Sequence, residues 1–349
     1  MGDPIAFSVE HKHEQVVSYF DEETGLRAFI ALHNTRRGPG LGGIRLWRYE
    51  SAQAALLDVL RLSEGMTYKA AVAGLHFGGG KTVILADGQE QNPALRAVRF
   101  RVLGRYIEAL GGRYIGAEDV GTTPEDMAQS RRSTRFVLGA PREEGGSGDP
   151  SPMTAYGVLC GIRALVEEAL ERETLAGVRV AIQGLGKVGL SLAEQLVREG
   201  AVVIGSDVRP HVLEEASQRL KIEVVEPEAI YDVPCEIFAP CAMGAVLNDR
   251  TIPRLACKII AGSANNQLEA EGHAEALHGR HILYAVDYVI NSGGLVNVAS
   301  ELDGYDEAKV REKTAHIYDT IKRMLAIARE EGVSTQRAAH LMALETLEE

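Results

Sequence analysis

The sequence predicts an α/β protein of two domains, and three observations support that prediction. Its 349 residues exceed what one hydrophobic core usually fills, and such chains tend to divide into units of about 100 to 200 residues. A stretch rich in glycine and acidic residues, 141–150, interrupts the hydrophobic periodicity and is typical of a linker. Beyond it, short apolar runs alternate with helical patterns. We therefore expect a first domain over 1–146 and a second over 147–330.

The first domain is predicted to begin with a β-hairpin. β-branched and aromatic residues in 15–20 and 26–32 flank a turn at 21–25. Apolar residues then recur at helical spacing in 52–62 and 93–110. This region should therefore be an α/β domain with a core of its own.

Between those helical segments, two lysines bracket a glycine run. Lys69 and Lys81 lie in the stretch 65–82, with three glycines directly before Lys81. Two ammonium groups in one site would favour the neutral form of one amine and would suit a small carboxylate. Solvated lysines beside a glycine turn are the plainer interpretation. A phosphate-binding loop is disfavoured, because G-x-x-x-x-G-K-[ST] would require glycine where the chain has Leu75.

The second domain is predicted to begin with a helix and to continue with a strand and a glycine-rich turn. A capping serine and a first-turn proline precede an apolar helix over 153–169. A buried strand over 178–183 leads into the motif G-x-G-x-x-G at 184–189, and a helix over 190–199 follows. A glycine motif between a strand and a helix indicates a Rossmann dinucleotide-binding domain, with the pyrophosphate at the helix N-terminus. Tight packing of strand against helix is the alternative interpretation of the glycines.

The next predicted strand, 201–205, ends near Asp207. A carboxylate there can accept hydrogen bonds from the adenosine ribose and repel a 2′-phosphate, so we expect NAD as cofactor rather than NADP. Arg209, two residues further on, weakens that preference. Three more strands are expected, at 235–239, 257–261 and 281–285. The segments after them should line the nicotinamide end of the site, at 240–242, 262–267 and 291–294. Capping of turns is the alternative for the two asparagines at 265 and 266.

The composition disfavours several classes of partner. A net charge of −12 argues against nucleic-acid binding, which needs clustered Lys and Arg. The four cysteines lack metal-ligand spacing and lie among apolar residues, so we expect buried free thiols and no metal site. The N-terminus lacks a signal-peptide pattern, and no apolar run reaches the ~18 residues of a membrane span. We expect a cytoplasmic protein without a membrane partner.

Seven motifs, in order along the chain, resemble the glutamate/leucine/phenylalanine/valine dehydrogenase family. They lie at 38–45, 65–69, 78–81, 117–123, 184–189, 262–267 and 287–294. The likeness covers nearly the whole chain, and Ala117-Glu118-Asp119-Val120 is most similar to the leucine-acting members. The resemblance implies an active site in the cleft between the two domains and a homo-oligomer. It also implies that the C-terminal helix, about 331–349, returns to the first domain.

The resemblance further implies roles for individual residues. Lys69 matches the lysine that binds the substrate α-carboxylate, Lys81 the catalytic lysine that activates water, and Asp119 the acid that exchanges a proton with the amino group. The other positions implied for the substrate are Met66, Leu41, Gly42, Gly43, Ala117, Asn291, Leu295 and Val298. Those implied for the cofactor NAD are Gly184, Leu185, Gly186, Lys187, Val188, Gly189, Asp207, Thr154, Cys241, Ala242 and Asn265.

The implied reaction is the reversible, NAD-dependent oxidative deamination of an L-amino acid to a 2-oxo acid and ammonia. The side-chain positions Leu41, Ala117, Leu295 and Val298 are apolar, so a glutamate substrate would bury an unpaired charge. Leucine, valine and isoleucine fit best. Phenylalanine remains an alternative, since one methylene changes discrimination by only about 1 to 3 kcal/mol.

The lysine pair also bears on other classes of protein and on pH. A hydroxy-acid dehydrogenase would normally use a histidine base with an arginine for the carboxylate, and an NAD-binding sensor would need no catalytic lysine. Lys69, Lys81 and Asp119 together speak against both. Because Lys81 must be neutral for part of the cycle, we expect its pKa to be lowered and activity to rise with pH.

Overall fold

The computed structural model describes residues 3–348, which form two compact α/β units. The first unit extends to Asp149 and also includes Val298–Tyr305 and the residues from Thr346 onward. The second consists of Pro150–Asn297 and Asp306–Glu345. Each unit contains a β-sheet of its own, so the predicted two-domain α/β fold is confirmed.

The helices and strands follow in chain order. Those of the N-terminal half are α1 (Pro4–Glu10), β1 (Gln15–Phe20), β2 (Arg27–Asn34), β3 (Gly40–Trp47), α2 (Ala52–Val72), β4 (Gly78–Leu85), α3 (Pro93–Glu108), β5 (Tyr114–Glu118) and α4 (Pro124–Arg131). The next are α5 (Ser151–Leu170), β6 (Arg179–Gln183), α6 (Lys187–Arg198), β7 (Val202–Ser206), α7 (Pro210–Leu220), β8 (Glu223–Val224), β9 (Ile237–Pro240), β10 (Ile259–Ile260), α8 (Gly272–Gly279) and β11 (Leu283–Tyr284). The last are α9 (Asp287–Ile290), α10 (Gly293–Ala299), α11 (Glu307–Ala315), α12 (Ile317–Glu331) and α13 (Thr335–Glu348).

The sheet of the first unit is mixed, with the strand order β1-β2-β4-β3-β5. The predicted hairpin β1–β2 pairs antiparallel, β2 pairs antiparallel with β4, and β3 runs parallel to both β4 and β5. Helix α2 covers one face, where Val59 packs with Ala31 and Val83. Helices α3 and α4 cover the other face, where Phe100 and Met127 join the larger core. Since both faces are covered, β4 is a buried central strand.

The glycine run before Lys81 is part of that strand and is neither a turn nor a phosphate loop. A Cβ at Gly79 would lie 2.1 Å from Thr67 Oγ1 and 2.2 Å from the carbonyl oxygen of Ser63, both on α2. The glycine therefore lets the helix lie directly against the strand. The predicted helix over 52–62 also continues to Val72, so Lys69 is a helical residue and Lys81 a strand residue.

We expect Gly79→Ala to destabilise the first unit by about 3 kcal/mol, because two of the three nearest atoms are backbone and cannot move aside. Urea denaturation with the midpoint and slope fitted separately measures this. Gly65→Ala is the matched control on α2. In the described part of the chain, its added Cβ meets nothing within 4 Å outside its own helix backbone. Alanine is also the better helix former, so stability should rise by about 0.5 to 1 kcal/mol. Equal effects at both positions would contradict the close-approach argument.

The sheet of the second unit is parallel throughout, with the order β11-β10-β9-β6-β7-β8. Read from β8, this is the doubly wound 3-2-1-4-5-6 arrangement, whose switch point lies between β6 and β9. The predicted strands are all present, but β9, β10 and β11 begin two residues later than the apolar runs that predicted them. The predicted Rossmann domain is therefore confirmed as a fold.

The C-terminal helices differ from the prediction, which assigned 331–349 to the first domain. Residues up to Glu345 belong to the second unit, and only those from Thr346 are grouped with the first. Two contacts between segments distant in sequence account for this grouping: Ser334 Oγ donates to Glu275 Oε1 at 2.6 Å, and Arg323 Nη2 donates to Glu345 Oε2 at 2.8 Å. These bonds hold the start and end of α13 to elements of the second unit.

The four cysteines are free thiols, as expected. Cys160 and Cys257 are buried, whereas Cys235 and Cys241 are only partly covered. Across residues 3–348, no helix is both long and apolar enough to cross a membrane.

Candidate active site

A buried ion pair between Lys81 and Asp119 lies on the α2 side of the first sheet. Lys81 extends from the central strand β4, and Asp119 follows the last residue of β5. Their charged atoms, Nζ and Oδ2, are 2.9 Å apart, with 6% and 15% of the two side chains exposed. The strand between them, β3, carries Gly43 at the crossing point. Residues 38 positions apart in sequence thus meet because the sheet order is β4-β3-β5.

Glycine at position 43 makes this meeting possible. A Cβ there would lie 2.6 Å from Asp119 Cβ and 2.8 Å from Lys81 Nζ. Gly42 is constrained in a different way, since its Cβ would lie 1.7 Å from the carbonyl oxygen of Gly80 and 3.2 Å from Met66 Cγ. The structure therefore brings five of the predicted site residues together. They are Gly42, Gly43, Met66, Lys81 and Asp119.

A second group of polar residues, which the sequence did not predict, is hydrogen-bonded to the Asp119 side of the ion pair. Arg45 Nε donates to Asp119 Oδ2 at 2.9 Å, and its Nη1 donates to Asp58 Oδ2 at 3.2 Å. Tyr49 Oη donates to the same Asp58 oxygen at 2.5 Å. The chain Lys81–Asp119–Arg45–Asp58–Tyr49 is continuous. Arg45 ends the motif 38–45, but only the fold shows that it joins two carboxylates.

Burial and neighbouring charges set the protonation of the pair. Burial lowers the pKa of Lys81 most, Asp119 opposes this, and Arg45 lowers the pKa further. Burial alone would raise the pKa of Asp119, but Lys81 and Arg45 outweigh it and lower that pKa to about 2. Asp119 is therefore a carboxylate at every physiological pH, and the Lys81 proton is more easily lost than that of a solvated lysine. The direction for Lys81 agrees with the prediction.

The remaining predicted substrate residues are distributed over both units. Lys69 lies three residues after Met66 on α2 and is partly exposed. Leu41 is fully buried on β3, and Ala117, the β5 partner of Gly43, is 7% exposed. Val298 belongs to the first unit, whereas Leu295 and Asn291 belong to the second. Their predicted place beside one substrate stays a prediction.

In the second unit, the glycine motif forms a tight strand-to-helix turn. Gly184 follows β6 with φ +92°, a conformation that favours glycine, and a Cβ at Gly189 would lie 1.9 Å from the Gly184 carbonyl oxygen. Helix α6 begins at Lys187, three residues before the predicted start, and Gly186 at its N-cap supplies no side chain. Apart from its chain neighbours, an added Cβ at Gly186 would meet, among residues 3–348, Arg209 Nη2 at 3.9 Å and no closer atom. An open helix start on a glycine turn fits the pyrophosphate of a dinucleotide.

Asp207 closes this turn at the end of β7. Its Oδ2 accepts a hydrogen bond from the Leu185 backbone N–H at 2.9 Å, and its Oδ1 accepts from both the backbone N–H and Nε of Arg209, each at 2.9 Å. The hydrogen bonds from Arg209 keep the pKa of Asp207 below its usual value. The carboxylate is thus ionised, and its predicted role at the adenosine ribose stays a prediction.

Of the other predicted cofactor residues, Cys241 and Ala242 follow the carboxyl end of β9 and Asn265 follows that of β10, whereas Thr154 lies on α5. Asn291 Nδ2 donates to Asn265 Oδ1 at 2.7 Å and to the Ser263 carbonyl oxygen at 3.0 Å. Ala242 follows Cys241 after β9, and its Cβ is the closest atom to an added Cβ at Gly184, at 2.6 Å. Thr154 Oγ1 donates to the Pro150 carbonyl oxygen at 3.0 Å on the first turn of α5. Ala242 therefore adjoins the glycine turn, and Asn265 is joined to Asn291.

A Rossmann sheet with such a turn, in a chain that also carries a buried lysine–aspartate pair, defines a nicotinamide-dependent oxidoreductase. Comparison with known proteins is consistent with that class. Residues 13–135 match the family profile described as Glu/Leu/Phe/Val dehydrogenase, dimerisation domain. Residues 145–216 and 207–349 match the profile described as Glutamate/Leucine/Phenylalanine/Valine dehydrogenase. The chain belongs to this family of amino-acid dehydrogenases, which oxidise CH–NH2 groups, as the resemblance implied.

Individual relatives support the same assignment. The leucine dehydrogenase of Thermoactinomyces intermedius is 49% identical over 97% of this chain and 92% of its own length. The phenylalanine dehydrogenase of Bacillus thermotolerans is 46% identical over 98% of this chain and 90% of its own. The crystal structure of L-tryptophan dehydrogenase from Nostoc punctiforme superposes with a TM-score of 0.85 at 42% identity, covering 99% of this chain and 98% of that one. All three act on apolar amino acids by name.

Proposed function

We propose that this enzyme catalyses the reversible, NAD-dependent oxidative deamination of an apolar, branched-chain L-amino acid, foremost leucine. The products are the 2-oxo acid and ammonia. The observation that carries the proposal is the buried Lys81–Asp119 pair, since it joins a base of lowered pKa to a permanent carboxylate. Such a pair suits a reaction in which water is activated and an amine gains and loses a proton.

In this proposal Lys69 and Lys81 have different tasks. Lys69, partly exposed on α2, binds the substrate α-carboxylate as a cation. Lys81 is almost fully buried and acts as the base at the reacting carbon. Once Cα has been oxidised to the imine, the neutral Lys81 amine takes a proton from the water that attacks the imine carbon. The resulting ammonium then stabilises the carbinolamine oxygen through its charge.

Asp119 moves the second proton. Its carboxylate accepts a proton from the substrate ammonium, which leaves the amino group neutral for oxidation. It returns that proton to the nitrogen of the carbinolamine. As the carbon–nitrogen bond breaks and ammonia departs, the hydroxyl proton passes to the freed Asp119 carboxylate and the carbonyl group of the 2-oxo acid forms. Because its own pKa is held at about 2, Asp119 can only hold the proton transiently.

Apolar specificity follows from the side chains near the ion pair. Leu41 and Ala117 are buried and bring no cation that could pair with a second carboxylate. A glutamate side chain would thus leave its charge unpaired, at a cost of several kcal/mol. Leucine is favoured because the leucine-acting relative is 49% identical over 92% of its length. Phenylalanine is the second candidate, since a phenylalanine-acting relative reaches 46%.

NAD is proposed as the cofactor because Asp207 presents a carboxylate at the end of β7. Gly184, Gly186 and Gly189 would hold the pyrophosphate, and Asp207 would accept from the ribose hydroxyls. Bound there, NAD would supply the hydride acceptor of the reaction. Arg209 already pairs with Asp207, so a 2′-phosphate would meet a partly neutralised site. We therefore expect NAD to be preferred over NADP by a measurable but limited factor.

We also propose that the enzyme is a homo-oligomer of the cytoplasm. The match to a dimerisation domain supports assembly, as does the exposed edge strand β1, which presents Phe20 with 65% of its surface exposed. The four free thiols are typical of a reducing compartment. Light scattering of the purified protein gives the subunit number.

The deciding experiment follows the absorbance of reduced nicotinamide with purified enzyme at alkaline pH. Leucine, valine, phenylalanine and glutamate are compared with NAD, and the best substrate is then repeated with NADP. We expect the highest kcat/KM with a branched-chain amino acid. A preference for phenylalanine would establish the second candidate. No turnover on any amino acid would overturn the proposed function.

The pH dependence provides an independent prediction. A lowered pKa means that the neutral Lys81 amine appears at lower pH than in a solvated lysine, whose pKa is about 10.4. The rate of amino-acid oxidation should therefore rise with pH and level off once Lys81 has lost its proton. Measurement of kcat/KM from pH 6 to 11 at constant ionic strength tests this. A rate independent of pH over that range would contradict the role of Lys81.

A further inference from the structure

Arg45 lies between two carboxylates, Asp119, whose side chain is 15% exposed, and Asp58, whose side chain is 30% exposed. It extends from β3, with 16% of its side chain exposed, and contacts Asp119 at 2.9 Å on one side and Asp58 of α2 at 3.2 Å on the other. Asp58 is in turn fixed by the Tyr49 hydroxyl. Burial and the hydrogen bond to Asp58 raise the pKa of Tyr49, so it remains a donor. Nothing in the proposed chemistry requires this second half of the chain of contacts.

The charges of these residues indicate what the contacts of Asp58 with Arg45 and Tyr49 do for Lys81. Asp119 and Asp58 carry two negative charges and Arg45 one positive charge, so the three together retain one negative charge. That excess favours the protonated form of Lys81, whereas Arg45 alone opposes it. The ionisable groups that act most strongly on the Lys81 amine are Asp119, Arg45 and Asp58, while Tyr114 stands beside Asp119 and Tyr49 beside Asp58.

We propose that Arg45 and Asp58 are positioning residues that together set the pH at which Lys81 becomes a base. Arg45 holds the Asp119 carboxylate toward Lys81 and draws its charge away from the amine. Asp58, which accepts a hydrogen bond from Tyr49, limits the effect of Arg45 on Lys81, because its negative charge partly neutralises the guanidinium. Neither residue touches the Lys81 amine within the described contacts, and each acts through a neighbour. This inference rests on the proposed function and adds the control of its pH range.

The two halves of the proposal predict opposite shifts. Arg45→Gln removes the positive charge, so Lys81 should keep its proton longer and the rising limb of kcat/KM should move to higher pH by about 1 unit. Asp58→Asn removes a negative charge with little change of shape, so the limb should move to lower pH by about half a unit, since Asp58 acts from farther away. A purely structural role would lower the rate in both variants without opposite shifts.

Conservative variants separate charge from shape. Arg45→Lys keeps the positive charge, and its limb should stay near the wild-type pH even where the rate falls. Arg99→Gln is the matched control in the same unit. Arg99 also donates two hydrogen bonds to one carboxylate, that of Asp87, at 2.9 and 2.5 Å, but it lies outside the chain of contacts from Lys81 to Tyr49. In Arg99→Gln the rising limb of kcat/KM should stay at the wild-type pH. Circular dichroism of each variant confirms the fold.

The outcomes distinguish the inference from the function beneath it. The inference alone is overturned if the wild-type enzyme is active but the rising limb of kcat/KM stays at the same pH in both Arg45→Gln and Asp58→Asn. It is likewise overturned if the limb moves in the same direction in both variants. Should Arg45→Gln fail to fold, the test is the rising limb of kcat/KM in the other two variants. The inference then requires a shift to lower pH in Asp58→Asn and no shift in Arg45→Lys. A wild-type protein that oxidises no amino acid at any pH overturns both.

Discussion

Lys81→Ala should lower kcat by roughly 10³- to 10⁴-fold, because the change removes both the base and the cation proposed to act on the reacting carbon. Lys81 is 5% exposed and makes its described ion pair with Asp119. Alanine would leave that carboxylate paired with Arg45 only, at 2.9 Å. Substrate binding through Lys69 should survive, so KM should change far less than kcat.

The measurement separates chemistry from folding and binding. Steady-state rates with the best amino acid give kcat and KM, and fluorescence or calorimetric titration with the 2-oxo acid shows whether binding is retained. Lys69→Ala is the control on the same substrate, and for it we expect KM to rise more than kcat falls. If Lys81→Ala kept a tenth or more of the wild-type kcat, the buried lysine would not be the catalytic group.

The second unit could be predicted from sequence almost completely, because its determinants are local. A parallel sheet covered on both faces is built from continuous apolar strands, and the glycines of 184–189 act within a single turn. The strand ends differ by about two residues, since the first residues of an apolar run can be buried without joining the ladder. Helix α13 is grouped with the second unit up to Glu345, because hydrogen bonds such as Ser334 to Glu275 join segments that are distant in the chain, and such contacts leave no local pattern in the sequence.

The first unit was harder, since its glycines serve contacts between distant segments. Three consecutive glycines suggest a turn, yet residues 78–85 are a buried strand against which α2 is packed. Lys81 and Asp119 could be recognised through the family resemblance. Arg45, Asp58 and Tyr49 could not, because they come from a strand, a helix and the loop between them, and only the folded sheet aligns them with the ion pair.

Gly43→Ala should lower kcat by about 100-fold or more while the protein still folds. The added methyl would lie 2.6 Å from Asp119 Cβ, 3.1 Å from Asp119 Cγ and 2.8 Å from Lys81 Nζ. Lys81 Nζ and Asp119 Cγ can turn aside, which parts the ion pair. Asp119 Cβ is fixed to the backbone, so residue 119, just after β5, must also shift by several tenths of an ångström. A displacement of about 1 Å in a catalytic group can cost 100-fold in rate.

The effect should also be visible in the pH profile. Parting the two charges removes the main influence that keeps the proton on Lys81, while burial continues to favour the neutral amine. The limb of kcat/KM should then move to lower pH as the maximal rate falls, a combination that simple unfolding does not produce. Urea denaturation provides the comparison with Gly79→Ala, whose clash is mainly with backbone atoms and should appear in stability. If Gly43→Ala instead kept its rate and lost stability, the glycine would serve packing of the sheet and not the approach of Lys81 to Asp119.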